Sequence, residues 1–215
     1  MLILELISVF FKTYILKDTG KPPFSLYKKI QGWLTPFEAF ALRFIASKLS
    51  TNAQILEIGS WKGKSTYCIA HGLKSGVINC IDPFNADGEV QSKATYDNEK
   101  GDEDLMVQFK NNIAQFGDGI TIIPYKGYSR EFVGKMAPVD FLFIDGDHSI
   151  EGCLFDFQNF EHLIKPGGYL AFHDFNPKRK ELGPTFVVEQ VVLNYKNYKF
   201  IKSFDSLIVF KKQSL

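Results

Sequence analysis

Short apolar runs alternate with helical patterns along most of the chain, and this alternation restricts the possible folds more than any other feature of the sequence. Such alternation predicts crossover connections, and therefore an α/β fold with a mostly parallel sheet covered by helices on both faces. Two further runs, 198–203 and 206–211, predict a terminal antiparallel pair. The other predicted strands are 54–58, 76–82, 120–124, 139–145 and 169–173, and the predicted helices are 64–73, 105–116, 150–165 and 186–193.

Two segments interrupt this pattern. The polar stretch 83–104 has no periodic apolar signal and exceeds the usual length of a connection, so it is expected to be a lid or a disordered excursion. Pro166–Gly168 is expected to close the helix that precedes it.

Residues 1–34 are predicted to form a helical appendage to a domain that covers residues 35–215. A helix start marks the boundary, because Thr35 can cap, Pro36 suits the first helical position and Glu38 can complete a capping box. Residues 1–16 do not have the pattern of a signal peptide, and they predict a helix that packs on its own domain or on a second subunit. A peripheral membrane contact is the alternative. No apolar run reaches the roughly 18–20 residues of a transmembrane segment.

The composition excludes several functional classes. Hydrophobic residues make up 45% of the chain and charged residues 23%, which is too apolar for an intrinsically disordered protein. The 25 basic and 24 acidic side chains lack the basic excess of nucleic-acid-binding domains, so no nucleic-acid partner is expected. The three cysteines are widely spaced in apolar stretches, which indicates buried thiols in a reducing compartment and predicts a cytoplasmic protein.

The segment Glu57–Ser65 combines a strand end, a glycine-containing turn and a helix start, an arrangement that brings ligands against backbone N–H groups. A dinucleotide site needs a second glycine where this chain has Trp61. A phosphate-binding P-loop needs a glycine five residues before Gly63, and Ile58 stands there. The class that remains is a nucleoside joined to an amino acid, whose ribose hydroxyls can donate hydrogen bonds to the carboxylate of Asp82.

Four sequence blocks at the ends of alternating strands resemble the class I S-adenosylmethionine-dependent methyltransferases. The last two blocks are more narrowly similar to the small-molecule O-methyltransferases of the macrolide-sugar and cephalosporin-pathway type. The resemblance covers about Leu34 to Lys212 and implies a Rossmann-like, seven-stranded sheet in the order 3-2-1-4-5-7-6. The blocks are Ile55–Ser65, Ile81–Phe84, Phe143–Ser149 and Leu163–Asp174.

The resemblance implies S-adenosylmethionine as the cofactor, together with a set of residues that bind it. Each of these residues also has a structural alternative: a glycine that only permits a turn, Glu57 as a helix-dipole partner, Asp82 as a turn initiator or Ser129 as a helix cap. The implied cofactor-binding residues are Glu57, Gly59, Ser60, Gly63, Asp82 and Ser129.

A hydroxyl acceptor is a weak nucleophile at neutral pH, so methyl transfer to it benefits from a divalent cation or a base. Asp145 and Asp174 follow neighbouring strands and could hold Mg²⁺ or another divalent cation, with His173 as a third ligand. The metal-binding members of the family carry an acid or Asn beside the second Asp, where this chain has His173 and Phe175. His148 stands where related sugar methyltransferases place a candidate base, so His148 and Asp145 are the predicted catalytic residues. The alternatives are a helix-capping role for His148 and a structural strand-end role for His173.

The sequence therefore predicts an S-adenosylmethionine-dependent methyltransferase that acts on a hydroxyl of a small molecule, such as a sugar or a secondary-metabolite precursor. Three alternatives remain open. They are a metal-independent methyltransferase with another acceptor atom, a nucleotide hydrolase that uses Gly63–Ser65, and a noncatalytic S-adenosylmethionine-binding protein that forms oligomers through its N-terminal appendage.

Overall fold

The computed structural model describes residues 21–87 and 93–213. Seven strands form a single sheet in the order β3-β2-β1-β4-β5-β7-β6, which is the order that the family resemblance implies. The first five strands are parallel, and β7 runs antiparallel to both β5 and β6. The strands are β1 (Ala53–Ile58), β2 (Gly76–Asp82), β3 (Ile120–Lys126), β4 (Val139–Ile144), β5 (Ile164–Phe172), β6 (Tyr198–Phe204) and β7 (Leu207–Lys212).

Helices cover both faces of this sheet. Helices α1, α2 and α4 contribute to one apolar cluster, and α5 and α6 contribute to a second cluster on the opposite face. Strand β1 supplies Ile55 to the first cluster and Leu56 to the second, because successive side chains of a strand point to opposite faces. The helices are α1 (Pro36–Ser47), α2 (Lys64–Gly72), α3 (Lys93–Lys100), α4 (Leu105–Ile113), α5 (Ile150–Phe160) and α6 (Gly183–Gln190).

The start of helix α1 has the capping box that the sequence predicts. The Thr35 hydroxyl accepts a hydrogen bond from the Glu38 N–H at 3.2 Å, and the Glu38 carboxylate accepts one from the Thr35 N–H at 2.8 Å. The segment before it packs onto the first cluster, where Tyr27 and Ile30 are buried. The boundary at residue 34 stays a prediction, and the subunit or membrane contact predicted for residues 1–16 lies outside the described residues.

One helix is not predicted and one predicted helix end is wrong, each for a physical reason. Helix α3 lies inside the polar stretch 83–104, and because none of its residues is buried, no apolar periodicity could indicate it. Helix α5 ends at Phe160, whereas Pro166–Gly168 lies within β5 instead of closing the helix. The register with β4 shifts between Val139 and Phe141, and this irregularity accommodates a proline and two glycines in a strand.

Among the described residues, no helix combines the length and the apolar character needed to cross a membrane.

The loop after β1 passes very close to the end of β4. The Asp145 N–H donates to the Ile58 carbonyl at 2.8 Å, and the Gly59 N–H donates to the Ile81 carbonyl at 2.9 Å, so the loop is tied to both neighbouring strands. A Cβ on Gly59 would lie 2.0 Å from the Asp145 carbonyl oxygen, and the φ of Gly59 is +87°. Only glycine fits this position.

We therefore expect Gly59→Ala to destabilise the protein much more than Gly167→Ala. Gly167 has a similar φ of +79°, but a Cβ there would meet nothing within 4 Å. Both variants introduce backbone strain of about 1–2 kcal/mol, while the clash at Gly59 adds about 1–3 kcal/mol. Urea denaturation of both variants measures the difference, and equal losses in free energy of unfolding would contradict the close approach of the two strand ends.

Candidate functional site

Asp82, at the end of β2, holds the loop that follows β1. One carboxylate oxygen accepts hydrogen bonds from the N–H groups of Ser60 and Trp61 at 2.9 and 2.8 Å, and the other accepts from the Phe84 N–H at 2.6 Å. Burial raises the pKa of Asp82, although these three hydrogen bonds oppose the increase. A carboxylate has about four acceptor positions, so Asp82 can accept a further hydrogen bond while it anchors the loop.

Strained backbone marks the same edge of the sheet. Trp61, Phe84 and Asp174 follow β1, β2 and β5 and have φ values of 46°, 49° and 55°. Non-glycine residues rarely adopt this left-handed conformation, and such strain is concentrated at functional sites. The outliers support a functional role for this edge.

Two buried polar atoms of the loop have no hydrogen-bond partner within the described part of the chain. They are the hydroxyl oxygen of Ser60 and the indole nitrogen of Trp61. An unsatisfied buried polar atom costs about 1–3 kcal/mol, so such atoms call for a partner. Both atoms fit a polar ligand at the loop, which agrees with the cofactor-binding role predicted for Ser60.

Glu57, another predicted cofactor residue, lies beneath helix α2. Its carboxylate accepts hydrogen bonds from the hydroxyls of Ser65 and Thr66, and the thiol of Cys80 lies 3.5 Å away. The side chain is fully buried, and burial raises its pKa to about 7. These contacts match the structural alternative for Glu57, because its side chain supports the start of the helix.

Gly63 also has a structural reason for being glycine. It precedes helix α2 with a φ of +84°, and a Cβ there would lie 3.0 Å from the ring of Phe109. The residue therefore permits both the turn and the packing of helix α4 against it.

Ser129, the residue predicted on the adenine side, is paired with a carboxylate that sequence reasoning missed. Its hydroxyl donates to Asp156 of helix α5 at 2.5 Å. Asp156 is 3% exposed, and its burial raises its pKa to about 7. The sequence does contain a sign of this carboxylate. The spacing of Asp156 with Cys153 and Phe160 places it on the apolar face of α5.

An aromatic cluster covers one side of the loop. The rings of Trp33, Trp61 and Tyr96 lie 5.2–5.6 Å apart, centroid to centroid. The buried ammonium group of Lys62 donates to the Glu99 carbonyl at 2.6 Å. Residues before α1 and residues of α3 thus meet at the loop, and no local pattern in the sequence indicates this contact.

On the other side of the loop, Asp145, His148 and Asp174 converge. The Nε2 atom of His148 lies 3.0 Å from Asp174 Oδ2 and 3.7 Å from Asp145 Oδ1. One potential ligand atom from each of the three residues lies within 4.8 Å of the others, so the group could hold a metal ion. Two carboxylates with an imidazole suit a divalent cation.

His173, the predicted third metal ligand, lies behind this group and is 3% exposed. Its Nδ1 atom lies 3.1 Å from Asp145 Oδ1 and 3.3 Å from Asp174 Oδ2, and its Nε2 atom lies 3.3 Å from Glu38 Oε2. Burial alone would lower the pKa of His173, but the surrounding carboxylates raise it well above the usual value. The group whose ligand atoms lie within 4.8 Å of one another contains His148 and not His173, so the geometry favours His148 as the third ligand.

The pattern that defines the methyltransferase domain family matches residues 56–175, which is more than half of the chain and contains both sides of the site. The chain belongs to this family. The family match and the strand order confirm the resemblance to class I S-adenosylmethionine-dependent methyltransferases.

Two solved structures are similar to this methyltransferase. The O-methyltransferase from Bacillus cereus in complex with S-adenosylhomocysteine has a TM-score of 0.56, with 17% identity over 94% of this chain and 96% of that one. The O-methyltransferase TomG from Streptomyces achromogenes, involved in tomaymycin synthesis and determined with S-adenosylmethionine, has a TM-score of 0.56, with 16% identity over 97% and 96%. At these identities the similarity shows the fold.

A curated relative comes from a virus. The uncharacterized protein R132 of Acanthamoeba polyphaga mimivirus is 26% identical over 157 residues, which cover 67% of this methyltransferase. The chain spans 64% of the length of that relative.

The raised pKa of Glu57 predicts a pH-dependent effect of Glu57→Gln. Above pH 4.5 the unfolded chain releases the Glu57 proton, while the folded protein retains it up to about pH 7. This group therefore lowers the free energy of unfolding progressively between those pH values. Glutamine at this position cannot ionise. We therefore expect the free energy of unfolding of Glu57→Gln, measured relative to the wild type, to rise by about 1–3 kcal/mol between pH 5 and pH 8.5.

Urea denaturation at the two pH values measures this gain. The control is Glu189→Gln, which removes one partner of the surface ion pair with Lys180. Its free energy of unfolding should differ from that of the wild type by the same amount at both pH values. If the difference between Glu57→Gln and the wild type does not change with pH, Glu57 is ionised in the folded protein throughout this range.

Proposed function

We propose that the protein transfers a methyl group from S-adenosylmethionine to a hydroxyl of a small molecule. The observation that carries the proposal is the contact between Gly59 and Asp145, which joins the loop anchored by Asp82 to the group of Asp145, His148 and Asp174. A donor site and an acceptor site at one edge meet the main requirement of the reaction, since the acceptor atom must lie in line with the transferred methyl group.

The donor side consists of the loop after β1 and the end of β2. The polar atoms of Ser60 and Trp61 and the remaining acceptor position of Asp82 would bind the cofactor, with Ser129 on the adenine side. S-adenosylmethionine supplies an electrophilic methyl group on a sulfonium. The aromatic cluster of Trp33, Trp61 and Tyr96 packs against one side of this loop.

On the acceptor side, Asp145, His148 and Asp174 would hold a divalent cation, which would lower the pKa of the acceptor hydroxyl. His148 is also the candidate base. The two roles exclude each other at one nitrogen, because an Nε2 atom that ligates a metal has no lone pair left for a proton. Metal affinity and rate in a His148 variant can therefore separate them.

The nucleotide-hydrolase alternative loses support from the side chains it needs. The ammonium group of Lys64 donates to the Gly32 carbonyl at 2.7 Å, and the Ser65 hydroxyl donates to Glu57. In a P-loop these two groups would contact phosphates and Mg²⁺. Here both hold the N-terminal segment and β1 against helix α2.

We expect S-adenosylhomocysteine to bind more tightly than ATP and to change the intrinsic fluorescence. Both tryptophans of the chain, Trp33 and Trp61, lie at the loop, so their emission reports its occupancy. Asp82→Asn should weaken the binding of S-adenosylhomocysteine about 10-fold or more, because the side chain that holds the loop and would accept the ribose hydroxyls loses its charge. Asp140→Asn is the control, since Asp140 pairs with Lys165 near the other end of the strands.

Calorimetric titration gives these affinities. Tighter binding of ATP would restore the hydrolase alternative. Equal affinity of wild type and Asp82→Asn for S-adenosylhomocysteine would remove Asp82 from the donor site.

The acceptor side predicts a separable metal effect. EDTA should abolish methyl transfer to a panel of catechols and sugar diols, Mg²⁺ or Mn²⁺ should restore it, and S-adenosylhomocysteine affinity should stay unchanged. Asp145→Asn should reproduce the effect of EDTA, because a ligand carboxylate is lost. His148→Ala should weaken Mn²⁺ binding if His148 is a ligand, and should reduce only the rate, by about 10²–10⁴, if it is the base.

Full methyl transfer in EDTA would rule out the metal and leave His148 as the base. Normal rates and normal Mn²⁺ affinity in His148→Ala would exclude both roles for this residue.

A further inference from the structure

Glu38 does more than cap helix α1. Its side chain is almost completely buried, and its Oε1 atom accepts hydrogen bonds from the backbone N–H and the hydroxyl of Ser206 at 2.9 and 2.6 Å. Its Oε2 atom accepts one from the Thr35 N–H at 2.8 Å and lies 3.3 Å from Nε2 of His173. One carboxylate thus joins the start of α1, the turn between β6 and β7, and the histidine behind the acceptor site.

His173 connects Glu38 to the acceptor site. Its Nε2 atom faces Glu38, while its Nδ1 atom faces Asp145 and Asp174 at 3.1 and 3.3 Å. Carboxylates therefore lie at both ends of the ring, and the His173 side chain between them is 4% exposed. The path from Glu38 through His173 ends at the two carboxylates that also face His148.

The charges along this path agree with the geometry. Burial alone would raise the pKa of Glu38, but the facing His173 imidazole and the Ser206 hydroxyl hold it at about 2. An ionised Glu38 carboxylate that lies 3.3 Å from the ring favours a fixed orientation of His173.

We propose that Glu38 is a positioning residue of the acceptor site, which fixes Asp145 and Asp174 through the ring of His173. This inference rests on the proposed function, because it assigns a role at the same site. Glu38 and Ser206 lie outside the matched range 56–175, so the family match does not include the two residues that start this path.

Glu38→Gln should weaken Mn²⁺ binding about 10- to 100-fold. This is the usual effect of removing a residue that orients the metal ligands without touching the metal. Glutamine keeps an oxygen that can accept a hydrogen bond from Thr35 or Ser206, but it loses the charge that faces His173. S-adenosylhomocysteine affinity should stay within about twofold, since the donor loop is not on this path. Thr35→Ala is the matched control: it removes the other half of the capping box and leaves the pair of Glu38 and His173 in place.

A double-mutant cycle tests whether Glu38 acts through His173. In a His173→Gln background, Glu38→Gln should change Mn²⁺ affinity no further, because the intermediate ring is absent. An equal loss in both backgrounds, or Mn²⁺ affinity of Glu38→Gln within twofold of the wild type, would overturn the inference. If wild-type protein binds no Mn²⁺, the metal part of the proposed function fails, and a second readout then decides the role of Glu38.

That readout is the imidazole ¹H–¹⁵N spectrum of the metal-free protein, which contains only four histidines. We expect Glu38→Gln to shift the resonances of His173, which the carboxylate faces directly, and also those of His148, which is connected to Glu38 through His173 and the two aspartates. A purely local role of Glu38 would move His173 alone, and Thr35→Ala should move neither ring. Unchanged His148 resonances in Glu38→Gln would overturn the inference without reference to the metal or to activity.

Discussion

The close approach of Gly59 to the carbonyl of Asp145 is the constraint on which the rest of the site depends. In a parallel sheet the carboxyl ends of β1, β2 and β4 reach the same edge, and here the loop after β1 lies between its two neighbours. Asp82 fixes the loop from the β2 side through backbone N–H groups. The proposed donor loop and the proposed acceptor residues are therefore adjacent because of backbone geometry.

Carboxylates behave differently on the two sides of this contact. Glu57 and Asp82, on the donor side, are held by hydroxyls and backbone N–H groups, and burial raises their pKa values. Glu38 and Asp174, on the acceptor side, face imidazoles, and their pKa values are lowered. Hydrogen bonds from neutral donors only partly offset the free-energy cost of burying a carboxylate charge, whereas the attraction of a facing cation exceeds that cost. On the proposed acceptor side the carboxylates are therefore kept anionic by the imidazoles that face them.

Local patterns in the sequence predict the alternating elements and the capping box, and the rule that parallel strands end at one edge places the acids together. The strand order follows only from the resemblance to the methyltransferase family. The sequence does not predict the pairs of Ser129 with Asp156 or of Glu38 with His173, since these residues are 27 and 135 positions apart and only packing brings them together. Glu57 shows a further limit. A motif identifies a residue without indicating on which face of the strand its side chain lies.

The most direct test of this account is a crystal structure of the protein grown with S-adenosylhomocysteine and Mn²⁺, with data collected at the manganese absorption edge. The account predicts an anomalous peak bounded by Asp145, His148 and Asp174, and a nucleoside whose ribose contacts Asp82 beside the Gly59 turn. A nucleoside bound away from Asp82, or a manganese peak that does not touch Asp145, would contradict it.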